Sequence, residues 1–199
     1  MCIRDSVSGD DLSLTGEFTD RWNFAGHPAD FKPSPLGPIP FLAPSTFGIN
    51  SGTGQAFGNA ACLAQAPAGQ LTEFVAQLAT FGCYVKGSGV LTPPLPGHFG
   101  TMGRNIFRGP GLYTWDFSLT KDWKLADHVA LQLRAEFFNV LNHPSFANPF
   151  GVGGQLANVD PSVPSAFGFS SLTPDVAAAN PVLGTGGPRN IQLGLKLRF

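Results

Sequence analysis

The chain has 199 residues, of which only 13% are charged, and its formal net charge at pH 7 is −1. Typical soluble domains carry about 25% charged residues, so this surface is poorly suited to water. Nucleic-acid binding needs a clustered basic face, whereas the 12 Lys and Arg are scattered, so no nucleic acid is expected as a partner.

The first part of the chain is rich in turn-forming residues. The whole chain holds 25 Gly and 18 Pro. Stretches such as FKPSPLGPIPFLAPSTFG at residues 31–48 are predicted loops, because Pro removes a backbone donor and Gly admits positive φ. Disorder is the alternative for the Pro-rich parts, but the 18 Phe favour packed loops. We therefore predict a long loop region over residues 7–112.

One segment of this loop region has helical periodicity. In GQLTEFVAQLATFG, apolar residues recur at helical spacing, at Leu71, Phe74, Val75 and Leu78. The following Gly82 offers a stop signal. The pattern predicts one short amphipathic helix near residues 70–81.

From residue 113 onward the pattern changes to long alternating strands. We predict strands at 113–125, 129–138 and 190–199, with apolar residues at odd positions and polar residues at most even positions. Residues 126–128 form a three-residue turn, so the first two strands make an antiparallel hairpin. The third strand follows a loop at 139–188.

The length of these strands indicates what covers their apolar face. They run for about 9 to 13 residues, whereas strands in soluble proteins average about 5–6 residues and a strand that crosses a bilayer needs ~9–11. Tyr113, Trp115 and Trp123 lie near the strand ends, as in the aromatic girdles of outer-membrane barrels. A soluble β-sandwich is the alternative, since alternation cannot distinguish a lipid-facing surface from a core-facing one. We predict an all-β fold that contains the last three antiparallel transmembrane strands of an outer-membrane β-barrel.

The lengths of the connections predict how the barrel strands are oriented in the membrane. Bacterial barrels have short periplasmic turns and long extracellular loops, so 126–128 is predicted to be periplasmic and 139–188 extracellular. Lys121, the one charged residue on the apolar face, is then expected near the periplasmic interface, where its side chain can snorkel. Leu195 is expected at mid-strand, near the middle of the bilayer. Seven polar residues are predicted to face the lumen: Asp116, Gln132, Arg134, Glu136, Gln192, Lys196 and Arg198.

Three segments of the chain resemble a known family. They are GTMGRNIFRGPGLYTWDFSLTKDWKL (100–125), LQLRAEFFNVLNHPSFANPFG (131–151) and TPDVAAANPVLGTGGPRNIQLGLKLRF (173–199). Together they resemble the C-terminal end of TonB-dependent outer-membrane receptors, in particular the acidobacterial Oar-like type with a carboxypeptidase-regulatory-like N-terminal domain. The resemblance implies a barrel of about 22 strands with an N-terminal plug. Such receptors import metal chelates, vitamins, sugars or peptides with energy from the inner membrane.

The resemblance also implies which part of a receptor this chain forms and which partners it contacts. It would hold the last three strands of a receptor in the bacterial outer membrane that imports an unidentified ligand, and residues 1–6 would be an artificial start inside a longer gene. The implied partners are outer-membrane lipid, the barrel assembly machinery, the rest of the barrel and plug, and TonB through the missing N-terminal part. Phe199 is implied to be the assembly signal, with simple anchoring at the interface as the alternative. A secreted or surface-attached β-rich binding module is the alternative function.

No catalytic, cofactor or metal site is predicted, and no enzymatic activity is expected. The four His, at 27, 98, 128 and 143, lack metal-ligand spacing, and no motif of nucleophilic or phosphate chemistry occurs. In an enzyme, Arg134 and Glu136 with Asp116 on the neighbouring strand could provide a pair of carboxyl groups for general acid catalysis. On a barrel wall, a cross-strand charge ladder or a contact with the plug is favoured instead.

Two cysteines flank the predicted helix. Cys62 and Cys83 lie in the loop region 7–112, which is predicted to be extracellular like 139–188, and an oxidising environment there permits a disulfide. A bridge requires Cα atoms about 4.4–6.8 Å apart. Two reduced thiols packed beside the helix are the alternative.

Overall fold

The computed structural model describes residue 14 and residues 20–103, 106–147, 160–170, 172–174 and 186–199. The chain forms two compact units. The first unit is Met1–Pro110 with Asn148–Ser171, and the second unit is Gly111–Ala147 with Leu172–Phe199. The predicted boundary near 112 matches the first crossing between units, but the chain returns to the first unit inside the predicted loop 139–188. The predicted artificial start at 1–6 lies outside the described residues.

The first unit has six short strands, two α-helices and two 3-10 helices, Pro28–Asp30 and Pro44–Thr46, in its described part. The strands are β1 (Asn23–Ala25), β2 (Phe41–Leu42), β3 (Gly48–Ile49), β4 (Ala56–Phe57), β5 (Cys83–Lys86) and β6 (Gly89–Thr92). The helices are α1 (Ala60–Leu63) and α2 (Leu71–Phe81). Four strands form an antiparallel sheet in the order β1-β6-β5-β2, and β3 pairs with β4.

The helix α2 lies where the periodicity predicts it. Phe74, Val75 and Leu78 are buried along one face. The helix ends at Gly82, whose φ of 77° favours glycine and whose added Cβ would come 2.4 Å from the Phe41 ring. No helix in the described ranges is long and apolar enough to cross a membrane.

The strands of the first unit correct the expectation of loops with a single helix. Each is two to four residues long, which is too short for alternation to appear in the sequence. The described loops are packed, since they bury two apolar clusters. One cluster contains Trp22, Phe31, Ile39, Tyr84, Leu91, Met102, Phe107 and Phe167. The other contains Phe47, Cys62, Phe74, Leu78, Cys83, Val90 and Leu95.

The segment 160–170 completes the first of these clusters. The backbone of Ile39 donates to the carbonyl of Phe167 at 2.9 Å, and the hydroxyl of Tyr84 donates to the carbonyl of Pro161. Burial raises the pKa of the Tyr84 hydroxyl, and the nearby Asp160 carboxylate raises it further. The hydroxyl therefore stays protonated and remains a donor.

The second unit is built on three long strands. They are β7 (Phe117–Ala126), β8 (Val129–Phe138) and β9 (Asn190–Arg198), and they form an antiparallel sheet in the order β7-β8-β9. The predicted pairing of the three strands is confirmed. The first strand begins at Phe117 rather than at 113, because residues 113–116 bond to the chain after β8: the carbonyl of Trp115 accepts from the backbone N–H of Val140 at 2.8 Å.

Candidate functional site

One face of the β7-β8-β9 sheet is apolar and largely exposed. Residues directly opposite each other in a ladder share a face, so the register defines rows across the three strands. The rows are Phe117, Phe137 and Ile191; Leu119, Ala135 and Leu193; Lys121, Leu133 and Leu195; and Trp123, Leu131 and Leu197. Leu193 is 70% exposed. A contiguous apolar band of this kind marks an interaction surface.

The register places Lys121 on the apolar face, in the same row as Leu195 and at the middle of β7. Barrel strands tilt by about 35–45°, so residues of one row lie at different depths in a membrane. Lys121 near an interface and Leu195 near the middle of a bilayer both stay predictions.

The opposite face of the sheet is polar. It carries Gln132, Arg134 and Glu136 of β8 together with three predicted residues of β9: Gln192, Lys196 and Arg198. On β7 the same face carries Ser118, Thr120, Asp122 and Lys124. Arg134 and Glu136 form an ion pair along β8, rather than a cross-strand charge ladder. The other expectation for these residues, a contact with the plug, stays a prediction. Gln132 lies between Asp122 and Lys196 in the register.

Asn139 ties together the ends of the three strands on the side away from the β7-β8 turn. Its Nδ2 donates to the carbonyls of His143 at 3.0 Å and Gly187 at 2.8 Å, and its Oδ1 accepts from the His143 N–H at 3.0 Å. Its own backbone N–H donates to Oδ1 of Asp116 at 2.9 Å. We call these four residues the Asn139 hub. Asp116 therefore lies just before β7, and its carboxylate accepts a hydrogen bond in the Asn139 hub.

The sequence patterns did not indicate the Asn139 hub. Asn139 is 2% exposed, and both it and Asn142 have a φ of 51°, a left-handed conformation that Asn tolerates better than most residues. The run NVLNHP directly after a strand was the available signal, since Asn and Pro are typical of turns.

Phe199 lies one residue beyond β9 and is 97% exposed. Its ring is therefore free to meet lipid or a partner protein. Its roles as an assembly signal and as an interfacial anchor both stay predictions.

A disulfide joins Cys62 to Cys83 in the first unit. The Cα atoms are 6.5 Å apart, inside the range expected for a bridge. Asn59 caps α1 through its Oδ1, which accepts from the N–H of Ala61 at 2.9 Å. The bridge therefore fixes a capped helical turn to the first residue of β5.

Replacing both cysteines, as Cys62→Ala with Cys83→Ala, should lower the local stability of β5 and β6 by roughly 3 kcal/mol, because the bridge restricts the unfolded chain. Hydrogen exchange of peptides covering 83–92 would measure this loss. Cys2→Ala is the matched control and should leave these peptides unchanged. If alkylating reagents modify both Cys62 and Cys83 in the native protein, the disulfide does not form.

His27 and His143, two of the histidines that the structure describes, make local contacts. His27 Nδ1 accepts from the backbone N–H of Ala29 at 3.2 Å, and the ring of His143 lies against Tyr113, with centroids 6.0 Å apart. In the described part of the chain, no group of three or more His, Cys, Asp or Glu is placed to hold a metal ion.

Most of the chain matches a known protein family. Residues 8–192 match a family model described as "Outer membrane beta barrel domain". The match includes β7, β8 and the first residues of β9. No curated protein and no solved structure matches the chain.

Proposed function

Because this chain belongs to the outer membrane beta barrel domain family, we propose that it forms the C-terminal part of a TonB-dependent receptor of the Oar-like type. It is a protein of the bacterial outer membrane, and a barrel of this family sits in the lipid of that membrane. The proposal adds an activity: the complete receptor imports a ligand with energy delivered by TonB.

The main support for the proposal is the sheet of the second unit, which has one apolar face and one polar face. Its strands have 10, 10 and 9 residues, and a membrane-crossing strand needs ~9–11. The apolar rows are exposed and suit lipid, whereas the opposite face holds charged and amide groups that suit a wet lumen. A water-soluble sandwich would need to cover these leucines.

The free edges of this sheet support the idea that further strands complete it. β7 and β9 are its outer strands, and an open sheet edge is not tolerated in lipid. In our proposal the rest of the barrel pairs with both edges and closes the cylinder. The remaining part of the receptor also supplies the plug and the segment that contacts TonB.

Orientation follows from the connections. The tight turn between β7 and β8 is periplasmic in this proposal, and the long connection between β8 and β9 is extracellular. β9 then runs down to a periplasmic end, where the exposed Phe199 can meet the barrel assembly machinery.

No catalytic role is proposed. The carboxylate of Asp116 accepts from a backbone N–H in the Asn139 hub, and Arg134 is engaged with Glu136. These groups have structural partners, so the polar face is better explained as a lumen wall.

Purification of the complete gene product tests this function. It should fractionate with outer membranes, fold only in detergent or lipid, and bind the purified periplasmic domain of TonB. Deletion of the residues that precede the barrel should abolish TonB binding and leave membrane insertion intact. A full-length product that inserts but never binds TonB would contradict the receptor assignment. A product that stays soluble and monomeric without detergent would instead favour a surface-attached binding module.

A further inference from the structure

The first unit contains an open cleft with a volume of about 510 Å³. Its floor is the β1-β6 ladder, in which Asn23 lies opposite Thr92. One wall is formed by Gln65 after α1 and by Gln70 at the start of α2, and the other by the chain after β6. Small-molecule sites usually have about 300–1,000 Å³, so the cleft suits a small ligand.

The polar groups of this cleft are uncharged amides and hydroxyls with one imidazole. None of the described lining residues is Asp, Glu, Lys or Arg. Gln65 uses its Nε2 to reach the carbonyl of Ala61 at 3.3 Å, which leaves its Oε1 available. In the described part of the chain, the side chains of Gln70, His98 and Thr101 make no hydrogen bond. Apart from the imidazole of His98, these polar groups carry no formal charge, and they offer both donors and acceptors.

An aromatic ring stands beside these polar groups. Phe99 lines the cleft and is 66% exposed, although a ring of this size is usually buried in a core. An exposed aromatic face next to amide and hydroxyl groups is suited to a ligand that has an apolar C–H face and hydroxyl edges. The six-membered ring of a sugar has both.

The wall that carries Phe99 is held in place by the backbone. The N–H of Thr101 donates to Asn23 Oδ1 at 2.9 Å, and the N–H of Met102 donates to the carbonyl of Trp22 at 3.1 Å. Between Phe99 and Thr101, a Cβ added at Gly100 would lie 1.8 Å from the carbonyl oxygen of Arg21. Only glycine lets this wall approach β1 so closely.

The opposite wall is held by the disulfide, because Cys62 lies three residues before Gln65 and is bridged to Cys83 of the sheet. Both walls are therefore fixed relative to the floor before any ligand arrives. Such preorganisation reduces the ordering cost of binding.

We propose that this cleft binds a neutral oligosaccharide, with Phe99 against a sugar ring and Gln65, Gln70 and Thr101 bonded to its hydroxyls. A charged ligand would find no carboxylate, ammonium or guanidinium group among the described lining residues, and an apolar one would leave these amides without partners. The inference rests on the proposed function in that it names the ligand class that the receptor captures. Saccharide binding itself needs no TonB, so the two can be tested separately.

The test uses the full-length protein in a detergent without a sugar headgroup, applied to an array of neutral and acidic glycans. At least one neutral oligosaccharide should bind saturably, and acidic glycans should not be preferred. With the bound glycan as probe, Phe99→Ala should weaken the affinity about tenfold, equivalent to ~1.4 kcal/mol. Gln65→Ala with Gln70→Ala should weaken it to a similar degree.

Phe57→Ala is the matched control, since Phe57 is also an exposed ring of the first unit, at 50%, but lies outside the cleft. It should leave the affinity unchanged. Hydrogen exchange of peptides 83–92 checks that each variant keeps its fold. Binding of acidic glycans alone, binding of none, or equal affinity of wild type and Phe99→Ala would each overturn the proposal. Loss of TonB binding with saccharide binding retained would overturn the receptor assignment and leave this cleft assignment standing.

Discussion

Leu193→Arg is expected to lower the free energy of unfolding of the full-length protein in lipid by ~2–4 kcal/mol, the penalty for a cation at the middle of a barrel's apolar face. The register is the reason for choosing this position. Leu193 lies near the middle of β9, and its row, with Ala135 and Leu119, holds no charged residue. The row of Leu195 also holds Lys121.

The neighbouring residue supplies the control. Gln192 is on the polar face, directly opposite Glu136, so Gln192→Arg should cost less than about 1 kcal/mol. Leu195→Arg should cost more than Gln192→Arg, because Leu195 lies on the apolar face. Urea unfolding of the full-length protein in lipid vesicles would give all three values. Equal losses for Leu193→Arg and Gln192→Arg would contradict the assignment of the two faces.

Asn139→Gly should cost about 3 kcal/mol, from three side-chain hydrogen bonds at roughly 1 kcal/mol each. Glycine is the informative replacement because it adopts the φ of 51° without strain. The loss therefore reports the hydrogen bonds of the Asn139 hub rather than the backbone conformation.

Asn142→Gly is the control for this prediction. Asn142 has the same φ of 51°, but its Oδ1 accepts one bond, from the backbone N–H of Arg189 at 3.2 Å. Its loss should be within about 1 kcal/mol, measured by the same unfolding experiment. Similar losses at the two positions would show that the Asn139 hub does not bind the strand ends together.

The sequence predicted the long strands well, for a physical reason. Alternation is visible only when a strand is long and one face differs chemically from the other. β7, β8 and β9 meet both conditions, and Lys121 alone interrupts their apolar face. The sequence could not give the register, which places Lys121 and Leu195 in one row on either side of Leu133.

The rest of the molecule depends on contacts between distant residues. Trp22, Tyr84 and Phe167 pack in one cluster although they are far apart in the chain, and strands of two to four residues carry no periodic signal. The Asn139 hub needs Gly187, and the cleft needs residues from β1, β6 and the start of α2. Such sites could be found only after folding, although the cysteine spacing indicated one of the constraints.

Residues 160–170 belong to the first unit although β7 and β8 precede them in the chain. This connection affects the order in which parts of the protein can fold. Phe167 is fully buried beside Ile39, and the backbone of Ser170 donates to the carbonyl of Ser34 at 3.0 Å. A chain that emerges from its N-terminus must therefore deliver β7 and β8 before the core around Trp22 can close. A core that lacks a buried Phe loses about 3–5 kcal/mol, so we expect the first unit to be less stable until residues 160–170 have arrived. Over that interval it should be more sensitive to proteolysis than the finished core.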